Sequence, residues 1–367
     1  MKISTKKLDK NNIYLIVLSI LIILHFVTHP TIHNLTDEFK YLNISKQLCQ
    51  SDYSYFESEK SYHTPLLYMT LCLTSGLHNF TIPGGQLVTL SFFFLLIIGW
   101  YISLPKEFDR KKFSLLLISN SLLWVYYTRI LMDVPVAFFL SLGMLHLFLF
   151  FENRKKKNYY IAVILLFLGI MTKEITLIYG IIFFLYLILK RDFDIKDYIL
   201  LGIPVIPYIL YLILTGPEEL IWLFSVVLRT AGRNYSYIPY ARVPTFAFIA
   251  GIFGPGVLSM FHMVKHYKNN SKLRNMIEFI IIMFVVWEIF FDIAMPLNLP
   301  RYHAPIIPFL TLLVSEASKG DKKFNSIYQA TLVYTASTGF LASYYFHLND
   351  GAIWKNGLIE LVKKIIR

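Results

Sequence analysis

The chain has 367 residues, of which 56% are hydrophobic and only 16% charged, and its mean hydropathy is +0.55. A soluble domain carries about a quarter charged residues, so the composition excludes an ordinary soluble enzyme and predicts an all-α, polytopic membrane bundle. The net charge of +12 does not indicate nucleic acid, because Lys and Arg fall mostly in short loops between apolar runs, where anionic lipid is their natural partner.

Lys2, Lys6, Lys7 and Lys10 precede the first apolar run, Ile13 to Val27. Thr28-His29-Pro30-Thr31 offers no small-x-small cleavage site, so the run reads as an uncleaved anchor behind a cytoplasmic N-terminus, 1–12. Hydropathy then predicts about 11 transmembrane helices within a domain spanning 13–346. They lie near 13–29, 86–104, 113–128, 134–151, 159–173, 175–190, 198–214, 244–264, 276–292, 303–317 and 325–346. Several are shorter than the usual ~20 residues, which implies little tilt or ends buried among neighbouring helices. Most of the 35 Lys and Arg fall in 1–12, 105–112, 152–158, 190–197, 265–275 and 318–324. These become the cytoplasmic segments.

Thr64 to Leu77 is apolar but too short to cross, with Pro65 at its start and Gly76 near its end. Counting it as a span would invert every later loop, so it reads as an interfacial or re-entrant helix. The whole of 30–85 becomes a large external loop. Cys49 and Cys72, the two cysteines, both lie in it, and two cysteines alone leave their pairing open. A second external loop, 215–243, interleaves Arg229, Arg233 and Arg242 with Tyr235, Tyr237 and Tyr240, and is too long for a plain connector. The tail 347–367 is extracytoplasmic and ends in a short basic amphipathic stretch.

The chemistry-bearing charges gather on the outer side of this topology. Asp37 and Glu38 follow the first span in Thr36-Asp37-Glu38-Phe39-Lys40. An acid at the membrane–water boundary can serve as a base toward a lipid-linked molecule. Arg129 and Asp133 flank the next outer turn, Lys173-Glu174 the one after, and Asp292 and Arg301 bracket the last. Each has a plain structural reading: an exposed acidic pair, a helix-end ion pair four residues apart, a hairpin, a snorkelling arginine. Together they make a site for an anionic, membrane-embedded substrate with a base beside it.

The ordered set comprises Asp37-Glu38, the Pro65-Leu-Leu-Tyr68 helix, Arg129-Ile-Leu-Met-Asp133-Val-Pro, Gly169-Ile-Met-Thr-Lys173-Glu and Arg301-Tyr302-His303-Ala-Pro-Ile-Ile-Pro. It resembles the GT-C glycosyltransferases, in particular the group containing protein O-mannosyltransferases and the aminoarabinose transferase of lipid A. The resemblance runs from about Ile13 to Val314. It implies a GT-C fold, a polyprenyl-phosphate-linked sugar donor, transfer on the extracytoplasmic face and inversion at the anomeric carbon. It makes Asp37 the general base. Glu38 and Asp133 are the other candidate catalytic carboxylates, Glu38 to orient the acceptor or to hold the loop. Unlike the larger members, this sequence carries no sizeable C-terminal soluble domain, which leaves open whether the acceptor is a lipid, a glycan or a protein.

Single-displacement transfer needs a carboxylate for the acceptor proton and cations for the departing phosphate. Lys173 and Arg301, with Arg233 or Arg242, are expected on the donor phosphate. Arg129, Tyr302 and His303 complete the expected substrate-binding set. Asp133 would touch sugar or acceptor, or fix Arg129. No cofactor is required. Some relatives hold a divalent cation between carboxylates, and Asp37 with Asp133 is the pair that would do so here. The alternative reading is a transporter or flippase of a lipid-linked or anionic solute, for which Glu288, inside the ninth span, is the one supporting residue. The Lys-, Ile- and Asn-rich composition points to a microbial plasma membrane.

Overall fold

A computed structural model describes residues 10–28, 36–50, 64–190, 194–215, 244–266, 273–294, 299–319 and 321–345. Among them every regular element is helical, as a bilayer requires of a chain that must satisfy its own backbone polar groups. In chain order these are α1 (Lys10–Thr28), α2 (Thr36–Cys49), α3 (Leu66–Leu73), α4 (Ser75–His78), α5 (Ile82–Ser103), α6 (Arg110–Ile118), α7 (Ser121–Tyr127), α8 (Asp133–Asn153) and α9 (Lys156–Ile170). After a 3-10 turn, Glu174–Leu177, come α10 (Ile178–Lys190), α11 (Ile195–Gly202), α12 (Ile206–Thr215), α13 (Thr245–Phe253), α14 (Gly256–His266) and α15 (Arg274–Glu288). A π-helical turn (Ile289–Ala294), a 3-10 segment (Pro300–Ile306), α16 (Ile307–Ala317) and α17 (Lys322–Tyr345) complete the order.

Among the described residues, three helical stretches, Ile82–Ser103, Asp133–Asn153 and Ile195–Ile213, are long and apolar enough to cross a membrane, and α8 is the most deeply buried of them. It packs against α5, α9 and the Pro300–Ile306 segment. Its inward face carries one buried polar bond that selects the α5 partner, Trp100 Nε1–H donating to Ser141 Oγ at 2.9 Å.

Two of the predicted spans break at a single identifiable residue. The 113–128 run divides into α6 and α7 because Asn120, fully buried, caps the second half: its Oδ1 accepts from Leu122 N at 3.1 Å and Leu123 N at 3.3 Å. A side chain that offers the backbone an alternative acceptor ends one helix and starts another. The 244–264 run bends by 116° between α13 and α14. Gly254 makes the corner at φ +51°, and a Cβ there would lie 2.7 Å from Tyr334 Cδ1, so only glycine fits.

Both ends of the bundle are built from charged side chains, and they draw on different segments. At one end, Arg154 holds Asp197 at 2.5 and 3.0 Å, Lys190 holds Glu278 at 2.9 Å, and Asn275 donates to Glu152 at 2.5 Å. Nearby in kind, Asp109 N donates to Glu316 at 2.8 Å and Lys319 Nζ to the Glu107 carbonyl at 2.6 Å. The first group joins segments 152–158, 190–197 and 265–275, and the second joins 105–112 to 318–324. Asp133, at the opposite end of α8 from Arg154, is some 30 Å away by helix rise.

Candidate functional site

The site lies at the Asp133 end. Asp133 opens α8 and is 5% exposed. Its Oδ1 is 3.2 Å from Lys173 Nζ, in a pair whose side chains are 5% and 15% exposed. Lys173 lies just beyond α9 in extended backbone, with both Thr172 N and Lys173 N turned back onto the Gly169 carbonyl at 3.0 and 2.9 Å. Gly169 allows that turn to close: a Cβ there would meet Thr176 Cγ2 at 2.9 Å and Phe139 Cβ at 3.2 Å.

Lys173 Nζ also stands 4.9 Å from the centroid of the Tyr302 ring, and the Arg301 guanidinium carbon stands 5.7 Å from the same centroid. One aromatic ring thus stands within reach of two cations, each drawn to it by cation–π attraction. Tyr302 is fixed in turn by stacking on Phe291 at 5.4 Å and 26°.

Glu38 is 3% exposed and accepts a hydrogen bond from Ile130 N at 2.9 Å. This ties α2 to the turn between α7 and α8, which carries Arg129, itself 4% exposed. Glu38 therefore holds the loop that presents Arg129 and Asp133. The sequence expects it among the catalytic carboxylates, and its position suits a bracing role.

His303 is fully buried. Its Nδ1 accepts from Trp287 Nε1 at 3.1 Å, and the ring packs against Phe248 and Phe291. It forms the wall behind Tyr302. Asp292 accepts from Thr245 N at 3.0 Å and Thr245 Oγ1 at 2.9 Å, capping α13 from a neighbouring element. Capping a helix start from a distant carboxylate leaves no signal in local sequence.

The structure thus joins Asp133, Lys173, Tyr302 and Arg301 by direct contacts, places His303 against Phe291, on which Tyr302 stacks, and sets Glu38 on the turn that carries Arg129. Asp37 is the second residue of α2, but its side chain lies outside the described residues, as do Arg233, Arg242, Tyr235, Tyr237 and nearly all of the 215–243 loop. No group of three or more His, Cys, Asp or Glu able to hold a metal occurs among the described residues. Cys49 and Cys72 form a disulfide, so the pairing that composition left open is made.

Thr64 was not among the sequence candidates. It is 3% exposed, and its hydroxyl donates to the Ile170 carbonyl at 2.8 Å. Leu66 N donates to the Met171 carbonyl, also at 2.8 Å. Nothing in a lone threonine beside Pro65 signals such a contact.

Apolar helices interrupted by buried caps, with a charged site at the Asp133 end, define an all-helical membrane protein with a GT-C-type fold. The chain is similar to the crystal structure of ArnT from Cupriavidus metallidurans in the apo state, with a TM-score of 0.64 and 15% identity over 87% of this chain and 62% of that one. It is similar also to ArnT from the same organism bound to undecaprenyl phosphate, with a TM-score of 0.65 and 15% identity over 90% of this chain and 70% of that one. The chain spans about three fifths of the length of the apo ArnT chain. No family model and no curated protein matches the sequence.

Proposed function

We propose that the chain is an inverting glycosyltransferase that moves a sugar from a polyprenyl-phosphate donor to an acceptor hydroxyl on a lipid, glycan or protein. The observation that carries the reading is the convergence of Lys173 and Arg301 on Tyr302, beside Asp133, in a chain whose fold is similar to an ArnT structure holding undecaprenyl phosphate.

In this reading Lys173 and Arg301 bind the donor phosphate and stabilise it as it leaves. Lys173 is suited to the task because its charge is already drawn toward the site by Asp133. An arriving phosphate gains a cation that is held in place, so little side-chain freedom is lost on binding. Asp37 takes the proton from the acceptor hydroxyl, helped by its place near the start of α2, whose fourth turn is tied back by Cys49. Glu38 holds the Arg129–Asp133 turn against that helix. Arg129 adds positive charge, and Arg233 and Arg242 are the further cations expected from the 215–243 loop. No metal is required, because side chains neutralise the leaving phosphate. A divalent cation between Asp37 and Asp133 remains the alternative arrangement.

The protein then sits in a microbial plasma membrane with membrane lipids as neighbours, its N-terminus cytoplasmic and its site extracytoplasmic. The transporter reading finds less support, because Asp292, near Glu288, is committed to capping α13.

The test is transfer of radiolabelled sugar from a polyprenyl-phosphate donor to a membrane lipid extract by purified wild type and Asp37→Asn. A loss of about a hundredfold in rate with donor binding kept supports the assignment. Equal transfer by both moves the base elsewhere, and lipid movement across vesicles without transfer favours the transporter.

A further inference from the structure

Lys173 follows the C-terminus of α9, where the last carbonyls of a helix lack partners within it. Two of these carbonyls are taken by the outer loop: Ile170 O by the Thr64 hydroxyl and Met171 O by Leu66 N, both at 2.8 Å. Leu66 begins α3, whose Leu67, Tyr68 and Leu71 are buried. Tyr68 meets Tyr41 of α2 at a ring distance of 5.7 Å. The same helix is bonded to the end of α2 through Cys72–Cys49. A continuous path therefore runs from the acid-bearing helix, through a disulfide and an aromatic contact, to the carbonyls two and three residues before Lys173.

We infer that residues 64–73 form a strap that positions Lys173, with Thr64 as its positioning residue and the Cys49–Cys72 disulfide as its anchor to α2. Thr64 touches no substrate. It holds the α9 terminus at the height where Lys173 reaches both Asp133 and Tyr302. The disulfide keeps the strap in register with α2 across the intervening segment 51–63. A cation one ångström out of place loses a charge-assisted bond to phosphate, so the device acts on ligand affinity. The inference deepens the proposed donor-binding role of Lys173 and rests on it for the affinity readout alone.

The experiment uses full-length protein in lipid nanodiscs with Thr64→Val, Thr64→Ser and the double variant Cys49→Ala/Cys72→Ala. Two quantities are read: affinity for undecaprenyl phosphate, and amide hydrogen exchange of residues 168–176. Thr64→Val and the double variant are expected to weaken binding about three- to tenfold and to speed exchange at 168–176, with 140–150 unchanged. Thr64→Ser, which keeps the hydroxyl, is expected to restore both. Lowered thermal stability with unchanged affinity and unchanged exchange at 168–176 would overturn the inference, leaving Thr64 a merely structural residue. If wild type itself does not bind undecaprenyl phosphate, the donor reading fails, and the exchange pattern alone decides whether the strap holds the α9 terminus.

Discussion

Lys173 and Asp133 lie 40 positions apart in sequence, and their side chains meet at 3.2 Å in a largely buried pair. The pair joins the end of α9 to the start of α8, two helices that pack against each other along their length. Its energetics depend on what replaces each partner. Removing one charge from a buried pair leaves the other uncompensated, which costs more than the pair itself contributes.

Asp133→Asn is therefore expected to lower stability by about 3 kcal/mol, visible as a fall in denaturation midpoint in detergent. Lys173→Met removes the cation instead and is expected to weaken undecaprenyl phosphate binding by roughly tenfold or more. The double variant should recover part of the stability lost in Asp133→Asn without recovering binding. Full recovery of both would show that Lys173 does not serve the phosphate.

The Cys49–Cys72 disulfide closes a segment with a sequence separation of 23. Chain entropy alone gives such a closure about 3 kcal/mol of stabilisation. Cys49→Ala/Cys72→Ala should lower the thermal midpoint accordingly, and wild type treated with reductant should fall to the same value. A variant as stable as wild type would mean that the ordered α2–α3 contact persists in the unfolded ensemble.

His25 is buried where α1, α7 and α17 meet, with Nδ1 2.6 Å from Tyr127 Oη and Nε2 2.6 Å from Ser343 Oγ. Ser343 donates its own hydroxyl proton to the Phe340 carbonyl at 2.7 Å. The imidazole must then donate through Nε2 and accept the Tyr127 proton at Nδ1. Tyr127→Phe strips that acceptor of its donor and is expected to cost about 1–3 kcal/mol. His25→Leu, which removes the ring nitrogens altogether, takes away the acceptor of the Tyr127 hydroxyl and the donor to Ser343 Oγ, and is expected to cost a similar amount. Unchanged midpoints in both would remove the triad from the list of bonds that join these three helices.

Gly254 turns the chain between α13 and α14, and its ring neighbour Tyr334 also donates to the Gly251 carbonyl at 2.7 Å. Gly254→Ala meets both a left-handed backbone and the Tyr334 ring, and is expected to destabilise by about 1–3 kcal/mol. Gly202→Ala, where a Cβ meets nothing within 4 Å, is the matched control and should be close to neutral.

Apolar runs, basic loops and the order of Asp37-Glu38, Arg129, Asp133, Lys173 and Arg301 were legible without coordinates, because hydropathy and charge sidedness are properties of short segments and bilayers impose them strictly. They were sufficient for an all-helical membrane bundle, and they named Asp133, Lys173, Arg301 and Tyr302, which the structure joins by direct contacts. The two interrupted spans were not legible. Asn120 and Gly254 look like ordinary residues in apolar runs until a cap or a ring gives them their role.

Which residues touch was decided by tertiary structure alone. Glu38 could equally have faced solvent, and only the approach of α2 to Ile130 gives its carboxylate a backbone donor. Thr64 became a cap for a helix more than a hundred positions away, and Tyr302 the ring shared by Lys173 and Arg301. Local sequence carries periodicity, sidedness and composition. It carries no record of which distant backbone group is left without a partner, and at this site those unpaired groups determine where the charges sit.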